Sequence, residues 1–273
     1  MEWISYLRFF EQYPAAFIGV FTVFGLMTGS FLNVVIYRLP IMIERAEDET
    51  ERFDLAKPDS ACPKCGHAIT WYENIPVLSY LFLKGKCRGC ASPISMRYPL
   101  IELFTGCMWA WVAVQFGVTI DALIAAFAAS ILISLFFIDW DALYLPDVLT
   151  LPLLWVGLMA STDFIFISPK SAIWGAVVGY TVPLLISRLM RWRCGDNAIG
   201  GGDLKLLAAL GAFLGVMGVL NVILFASVLF VVFEVVKKLI GKAESVGAFG
   251  PAIVVAGWLE FMLGSSIYRL GLF

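Results

Sequence analysis

Long apolar stretches divided by short polar breaks run through most of the chain, and their lengths decide what it can be. About 20 apolar residues are needed to cross the hydrocarbon of a bilayer as a helix. Stretches of that order fall at 15–36, 99–117, 119–137, 148–167, 172–189, 220–236 and 251–268. A further run, 204–214 continuing toward 216, is short for a crossing, and Gly211, Gly215 and Gly218 fit either a tight hairpin or one long broken helix. Counting that run gives eight spans, with seven as the alternative. In the first stretch Gly19, Gly25 and Gly29 are small residues suited to close helix packing. One long polar interval, 38–97, holds 17 of the 40 charged residues. No internal repeat, inverted or direct, and no low-complexity segment is visible. The pattern predicts an all-α integral membrane protein, a polytopic helical bundle of about eight spans. Its parts are a first transmembrane segment at 1–37, a polar loop domain at 38–98 and a helical bundle at 99–273.

Composition agrees with that class: of 273 residues 60% are hydrophobic, with a mean hydropathy of +0.87, far above an ordinary soluble domain. The net charge of -2 says little, because in such a chain the placement of Lys and Arg matters more than their sum. With the 38–97 loop in the cytoplasm, an eight-span topology leaves only Arg8, Lys170 and Arg269 of the 19 basic residues outside. Both termini are then outside, and Asp139 and Asp203 share the cytoplasmic face. No cleavable signal peptide is expected, since Glu2, Arg8 and Glu11 precede the first apolar run and no small-residue cleavage pattern follows it.

The chemistry starts where carboxylates meet membrane-length runs. Gly200-Gly201-Gly202-Asp203 opens one apolar segment and Ile138-Asp139-Trp140-Asp141 closes another. A carboxylate there is costly to keep unless it works. Two such groups brought together can share a proton and activate a water. For Asp203 the alternative is a plain helix N-cap. The three glycines are expected to supply positive φ and to let an extended substrate backbone come close. Asp147, after Pro146, reads as an N-cap of the fourth span, with catalysis in place of Asp139 as its alternative. Asp141 lies on a different helical face from Asp139, and Asp121, Asp163 and Glu234 read as boundary residues.

The polar loop carries the second signal. Cys62-Pro63-Lys64-Cys65 and Cys87-Arg88-Gly89-Cys90 are two C-x-x-C knuckles, spaced as in sites that bring four thiolates onto one zinc. A closed four-thiolate site has no open position, so the zinc would be structural. The alternative is two disulfides, which a reducing cytoplasm disfavours. Cys107 and Cys194 stand alone and read as packing residues. His67, the only histidine, is expected to be a solvated loop residue. With no other histidine a Ser-His or Cys-His hydrolase has no second candidate base, and no H-E-x-x-H motif is present, which leaves carboxylates as the catalysts.

With these residues in view the chain resembles the type IV prepilin peptidases, membrane aspartic proteases with a G-x-G-D box. Residues 29–40, beginning Gly29-Ser30-Phe31-Leu32-Asn33 and including Arg38, are similar to the family's first-helix signature. Cys62 to Cys90, with Glu73-Asn74-Ile75-Pro76 and Leu78-Ser79-Tyr80, resembles its four-cysteine loop, and Arg97-Tyr98-Pro99 with Glu102 the start of its second helix. Asp139 with Leu145-Pro146-Asp147 matches the first catalytic region, Gly200-Gly201-Gly202-Asp203 the box, and Phe249-Gly250-Pro251 a late motif. Ala142 departs from the histidine many members carry, and Asp196-Asn197 from a frequent glutamate.

The resemblance implies an enzyme of the bacterial inner membrane with Asp139 and Asp203 as its catalytic pair. Its partners would be type IV prepilins and type II secretion pseudopilins together with membrane lipid, and no nucleic acid. It would remove the short basic leader on the cytoplasmic face, after a glycine and before a phenylalanine, and methylate the new N-terminus with S-adenosylmethionine. The chain itself has no glycine-rich βαβ fingerprint for a nucleotide-like cofactor, so methylation is expected from the resemblance alone. On that expectation Trp71, Tyr72 and Tyr80 wall a pocket for the adenine, or else rest at the membrane interface. Glu73 is the candidate for meeting the substrate amine or the sulfonium. A peptidase without methylation, a transporter using paired carboxylates and an assembly scaffold are the rival readings. A prepilin-like peptide bearing a basic leader separates them.

Overall fold

Without water to satisfy them, backbone polar groups in a bilayer must pair within their own segment, so long apolar stretches become helices. The structure, a computed structural model, describes residues 8–45, 53–194, 200–240 and 247–269. Arg52, Asp196-Asn197 and Lys242 of the sequence reading, and Glu2 at the N-terminus, lie outside the described residues. The long helices are α1 (Pro14–Glu44), α2 (Arg97–Phe116), α3 (Ile120–Ala142), α4 (Asp147–Thr162), α5 (Pro169–Cys194), α6 (Gly201–Leu239) and α7 (Gly250–Arg269). By length and composition α1, α2, α3, α5 and α6 are able to cross a membrane, while α4 and α7 give shorter apolar helices. The expected all-α membrane class is the one found. The chain forms two compact units, Met1–Ser134 and Leu135–Phe273, and the division falls within α3.

In the first unit α1 buries a stripe at Phe21, Gly25, Gly29, Leu32, Asn33 and Ile36, spaced as one helical face, against α2. Glycine makes this approach possible: a Cβ on Gly25 would lie 2.7 Å from the Trp109 side chain, and one on Gly29 2.7 Å from the Glu102 Cα. Gly19 takes no part, since nothing lies within 4 Å of its would-be Cβ. Helix α1 runs on past its apolar stretch through Arg38 to Glu44, and the buried Arg38 reaches the loop, donating from Nη1 to Asp54 O (3.0 Å) and from Nη2 to Pro58 O (2.7 Å).

In the second unit α6 settles the open choice around Gly215. This residue has φ 72° and ψ -173°, which breaks the helix into arms at 201–214 and 216–239. The arms do not continue as a rod. A Cβ on Gly179 of α5 would touch both Leu207 and Val219, residues of opposite arms. Asp203 of the first arm interacts electrostatically with Asp139, while Phe233 of the second has its ring 5.4 Å from that of Trp140. A straight helix would hold residues 203 and 233 about 45 Å apart. The chain therefore reverses at Gly215 in a helical hairpin, and both of its open ends come to the last turn of α3. Helix α4 ends at Thr162, short of the predicted 167, where Phe164 and Phe166 take positive φ.

Backbone contact between Gly175 of α5 and Gly211 of α6 closes this packing. Gly211→Val is expected to destabilise the protein by about 1–3 kcal/mol or more, since neither backbone can give way. A lowered thermal midpoint in detergent is the check, and an unchanged midpoint would contradict the interlock.

Candidate active site

Three helix ends meet around one carboxylate. Asp139, in the last turn of α3, is 5% exposed, and its Oδ2 accepts a hydrogen bond of 3.0 Å from the backbone N–H of Gly250, the first residue of α7. Glycine is required there, because a Cβ on residue 250 would lie 2.6 Å from Asp139 Oδ2. Asp203 lies in the first turn of α6 with its carboxylate beside Gly200, whose would-be Cβ lies 3.1 Å from Asp203 Oδ2, and the charge of Asp139 acts on it. Asp203 thus opens its own helix, and the Asp139 carboxylate, although it closes α3, faces the first N–H of α7; unpaired N–H groups at a helix start favour negative charge. The connection 143–146 closes one side: Leu143 takes φ 56° directly after α3, and Leu145 is buried against Gly202, whose would-be Cβ lies 2.8 Å from it.

In the first unit the two cysteine knuckles repeat each other with an offset of 25 residues. Cys62 N donates to His67 O and Cys87 N to Ser92 O; Gly66 N donates to Cys62 O and Ala91 N to Cys87 O. Gly66 and Ala91 both take positive φ (71° and 57°). This is a local internal repeat that the sequence reading did not register, since few side chains match across it. The Sγ pairs Cys62–Cys90 and Cys65–Cys87 are each 3.9 Å apart, and all four sulfurs lie within 4.8 Å of one another. Four thiolates at ~2.3 Å from one zinc are about 3.8 Å apart, so these donors fit the metal. The N–H groups of Lys64 and Cys65 point at the Cys62 sulfur and pull its thiol down to about 6, toward the thiolate a zinc requires. None of the four forms a disulfide in this structure.

Beside the knuckles lies a cavity of about 650 Å³ lined by residues of the loop, α1 and α2, among them Asn33, Arg38, Glu73, Tyr80, Tyr98 and Glu102. Glu73 is tied down in its wall: Thr70 N and Oγ1 donate to its Oε2 at 3.0 and 2.8 Å, and His67 Nε2 lies 3.3 Å from the same atom. These bonds, that from the Thr70 backbone foremost, hold the Glu73 carboxyl down to about 2, against an ordinary 4.5. Lowering in the folded state means stability that is present above the ordinary value and lost as pH falls from 4.5 toward 2. Hydrogen exchange of loop amides is therefore expected to be faster in Glu73→Gln than in the native protein near neutral pH, with the two converging in acid. A constant difference down to the acid end would contradict the bonding.

Residues 23–116 match the Bacterial Peptidase A24 N-terminal domain, and residues 126–235 match the Type IV leader peptidase family. A Neisseria gonorrhoeae protein named prepilin leader peptidase/N-methyltransferase is 44% identical over 261 residues, covering 90% of this chain and 91% of its own. Proteins of the same name from Aeromonas hydrophila (40% over 272 residues, 94% of each chain) and Pseudomonas aeruginosa (40% over 278 residues, 96% of each) are also similar. The chain belongs to the type IV leader peptidase family. It is an enzyme of that family, and no solved structure matches it. The first matched region contains the cysteines and the cavity, and the second contains Asp139 and Asp203.

Several sequence expectations change in detail. Asp147 is the first residue of α4, with Pro146 as the N-cap, and its carboxylate accepts from Lys205 Nζ at 2.6 and 2.7 Å. The box glycines do not use positive φ: Gly200 has φ -66°, and Gly201 and Gly202 are helical. Their smallness works instead through close approach, of Gly202 to Leu145 and of Gly200 to the Asp203 carboxylate. His67 is a partner of Glu73 and lines the cavity. Of the three aromatics only Tyr80 lines it; Trp71 is 80% exposed, and Tyr72 is exposed, its hydroxyl accepting from Arg88 Nη1 at 2.7 Å. Gly250 was legible as a motif, but its contact with Asp139 spans 111 residues and had no signal.

Proposed function

We propose that Asp139 and Asp203 are the catalytic pair of an aspartic endopeptidase that removes the short basic leader of prepilins and pseudopilins at the cytoplasmic face of the bacterial inner membrane. The observation that carries this reading is the convergence of the two carboxylates at helix ends, one of them held by the Gly250 N–H. One carboxylate takes a proton from the attacking water while the other, protonated, donates to the scissile carbonyl oxygen; proton return to the leaving amine then breaks the C–N bond. Gly250, by fixing the Asp139 oxygen, orients the pair.

The methylating activity is assigned to the first unit, with 38–98 as its polar domain. Cys62, Cys65, Cys87 and Cys90 hold one structural zinc that keeps the loop in shape. The cavity has a volume in the ordinary range of small-molecule sites, and its wall offers Tyr80 for stacking and Glu73 for polar contact with S-adenosylmethionine. That molecule supplies the methyl group on a sulfonium. The relatives named for both activities, the matched regions and the cavity support this reading. Eight spans, with α6 contributing two, agree with the clustering of Lys205, Lys237 and Lys238 toward one side.

The test is a purified sample in nanodiscs given a peptide with a basic leader, a Gly-Phe junction and an apolar helix. A single cut before the phenylalanine, followed by transfer of labelled methyl to the new amine, is expected. An intact peptide under conditions where the protein is monodisperse would overturn the proposal.

A further inference from the structure

Glu102 stands out among the groups the peptidase chemistry leaves unused. It lies in the second turn of α2 and is 8% exposed, yet it lines the cavity. Its Oε2 accepts a 2.8 Å hydrogen bond from Val77 N–H, and the Ser30 side chain also faces its carboxylate. Both partners are neutral. The buried cation of the same cavity, Arg38, directs its guanidinium to the carbonyls of Asp54 and Pro58. A carboxylate removed from water is costly unless a positive group completes its surroundings.

The backbone that holds Glu102 is itself strained. Val77 has φ 61° and ψ -47°, and Leu78 N–H bonds back to Pro76 O at 2.6 Å, which makes Pro76-Val77-Leu78 a γ-turn of the rare positive-φ kind. A β-branched residue is poorly suited to that conformation. The strain sets the direction of the Val77 N–H, and that N–H points at Glu102. Strain of this sort persists where surrounding structure overrides it, commonly at functional sites.

We infer that Glu102 is the residue that receives the free N-terminal amine of the substrate in the methylation site, an inference that rests on the methyltransferase reading above. The cavity has two sides. Glu102 and Asn33, whose Nδ2 donates to Tyr98 O at 3.2 Å, come from the membrane-crossing helices α1 and α2, while His67 and Glu73 come from the polar loop. An amine that begins an apolar helix reaches the first side, and a water-soluble sulfonium donor reaches the second. The ammonium pairs with the Glu102 carboxylate and passes it one proton. The nitrogen lone pair then forms the N–C bond to the methyl carbon as the C–S bond breaks, and that electron pair stays on sulfur, leaving a neutral thioether. The product is a secondary ammonium, and Glu102 returns its proton to water.

The experiment uses the full chain in nanodiscs without methyl donor and a pre-cut peptide, an apolar helix beginning with phenylalanine, in free-amine and N-acetylated forms. The native protein is expected to bind the free amine about tenfold or more tightly than the acetylated form, as a charged hydrogen bond implies. Glu102→Gln, which can still accept from Val77 N–H, is expected to lose that preference. Retention of the preference in Glu102→Gln would overturn the inference. A second measurement needs no variant: carbodiimide coupling of the free-amine peptide to native protein, followed by peptide mapping, is expected to link its nitrogen to Glu102. Linkage at Glu73 or at other carboxylates alone would overturn it as well. A native protein that methylates the peptide yet fails either test leaves the methyltransferase reading standing and removes Glu102 from it. A native protein that neither binds nor methylates the pre-cut peptide removes both.

Discussion

Asp139→Asn and Asp203→Asn should each lower cleavage of a precursor peptide by a factor on the order of 10² to 10⁴, the usual contribution of a positioned acid or base. Neither should unfold the protein. Asparagine keeps the shape of the side chain, and its carbonyl oxygen can still accept from Gly250 N–H at the place of Asp139 Oδ2. What it cannot do is ionise, and a pair that shares one proton fails when either member is fixed as neutral. Asp147→Asn is the matched control. It removes a surface ion pair with Lys205, worth about 0–1 kcal/mol, and should leave most of the cleavage in place. Near-normal turnover by either dyad variant would end the assignment. Loss in Asp147→Asn with retention in Asp139→Asn would move the first role to Asp147.

Removing zinc should produce the second large effect, and it should be selective. The protein is expected to contain about one zinc per chain, and stripping it with a chelator, or replacing Cys65 and Cys90 with serine, should abolish methyl transfer. A structural zinc contributes about 10–16 kcal/mol of folding free energy in small metal domains, as much as a whole domain has to lose. Among the described residues the loop has no sheet and only two isolated β-bridges, Ala61 with Ala68 and Lys86 with Pro93, so little else holds the knuckles together. Peptide cleavage should persist, because Asp139, Asp203 and Gly250 all belong to the compact unit that the cysteines do not. Metal-free protein with native methyl transfer, or four cysteines that label freely with maleimide in the untreated protein, would contradict this.

The all-α membrane class, the helix positions and the candidate residues were legible because they depend on local quantities. An apolar run of sufficient length has one solution in a bilayer, the helix, and two C-x-x-C pairs at this spacing suit a four-thiolate metal site. The carboxylates Asp139 and Asp203 stood out because each interrupts such a run at its end. Tertiary structure alone decided the rest. Gly211, Gly215 and Gly218 were compatible with a rod or a hairpin until α5 packed Gly175 and Gly179 against both arms, and only the hairpin brings Asp203 and Phe233 to the same end of α3. The box glycines were expected to matter through φ and matter through proximity, which depends on what lies opposite, here Leu145. The bonds of Asp139 to Gly250 and of Glu102 to Val77 join residues 111 and 25 positions apart. Hydropathy and motif spacing describe neighbours in sequence, so a contact whose partners are fixed by helix packing leaves no trace in either.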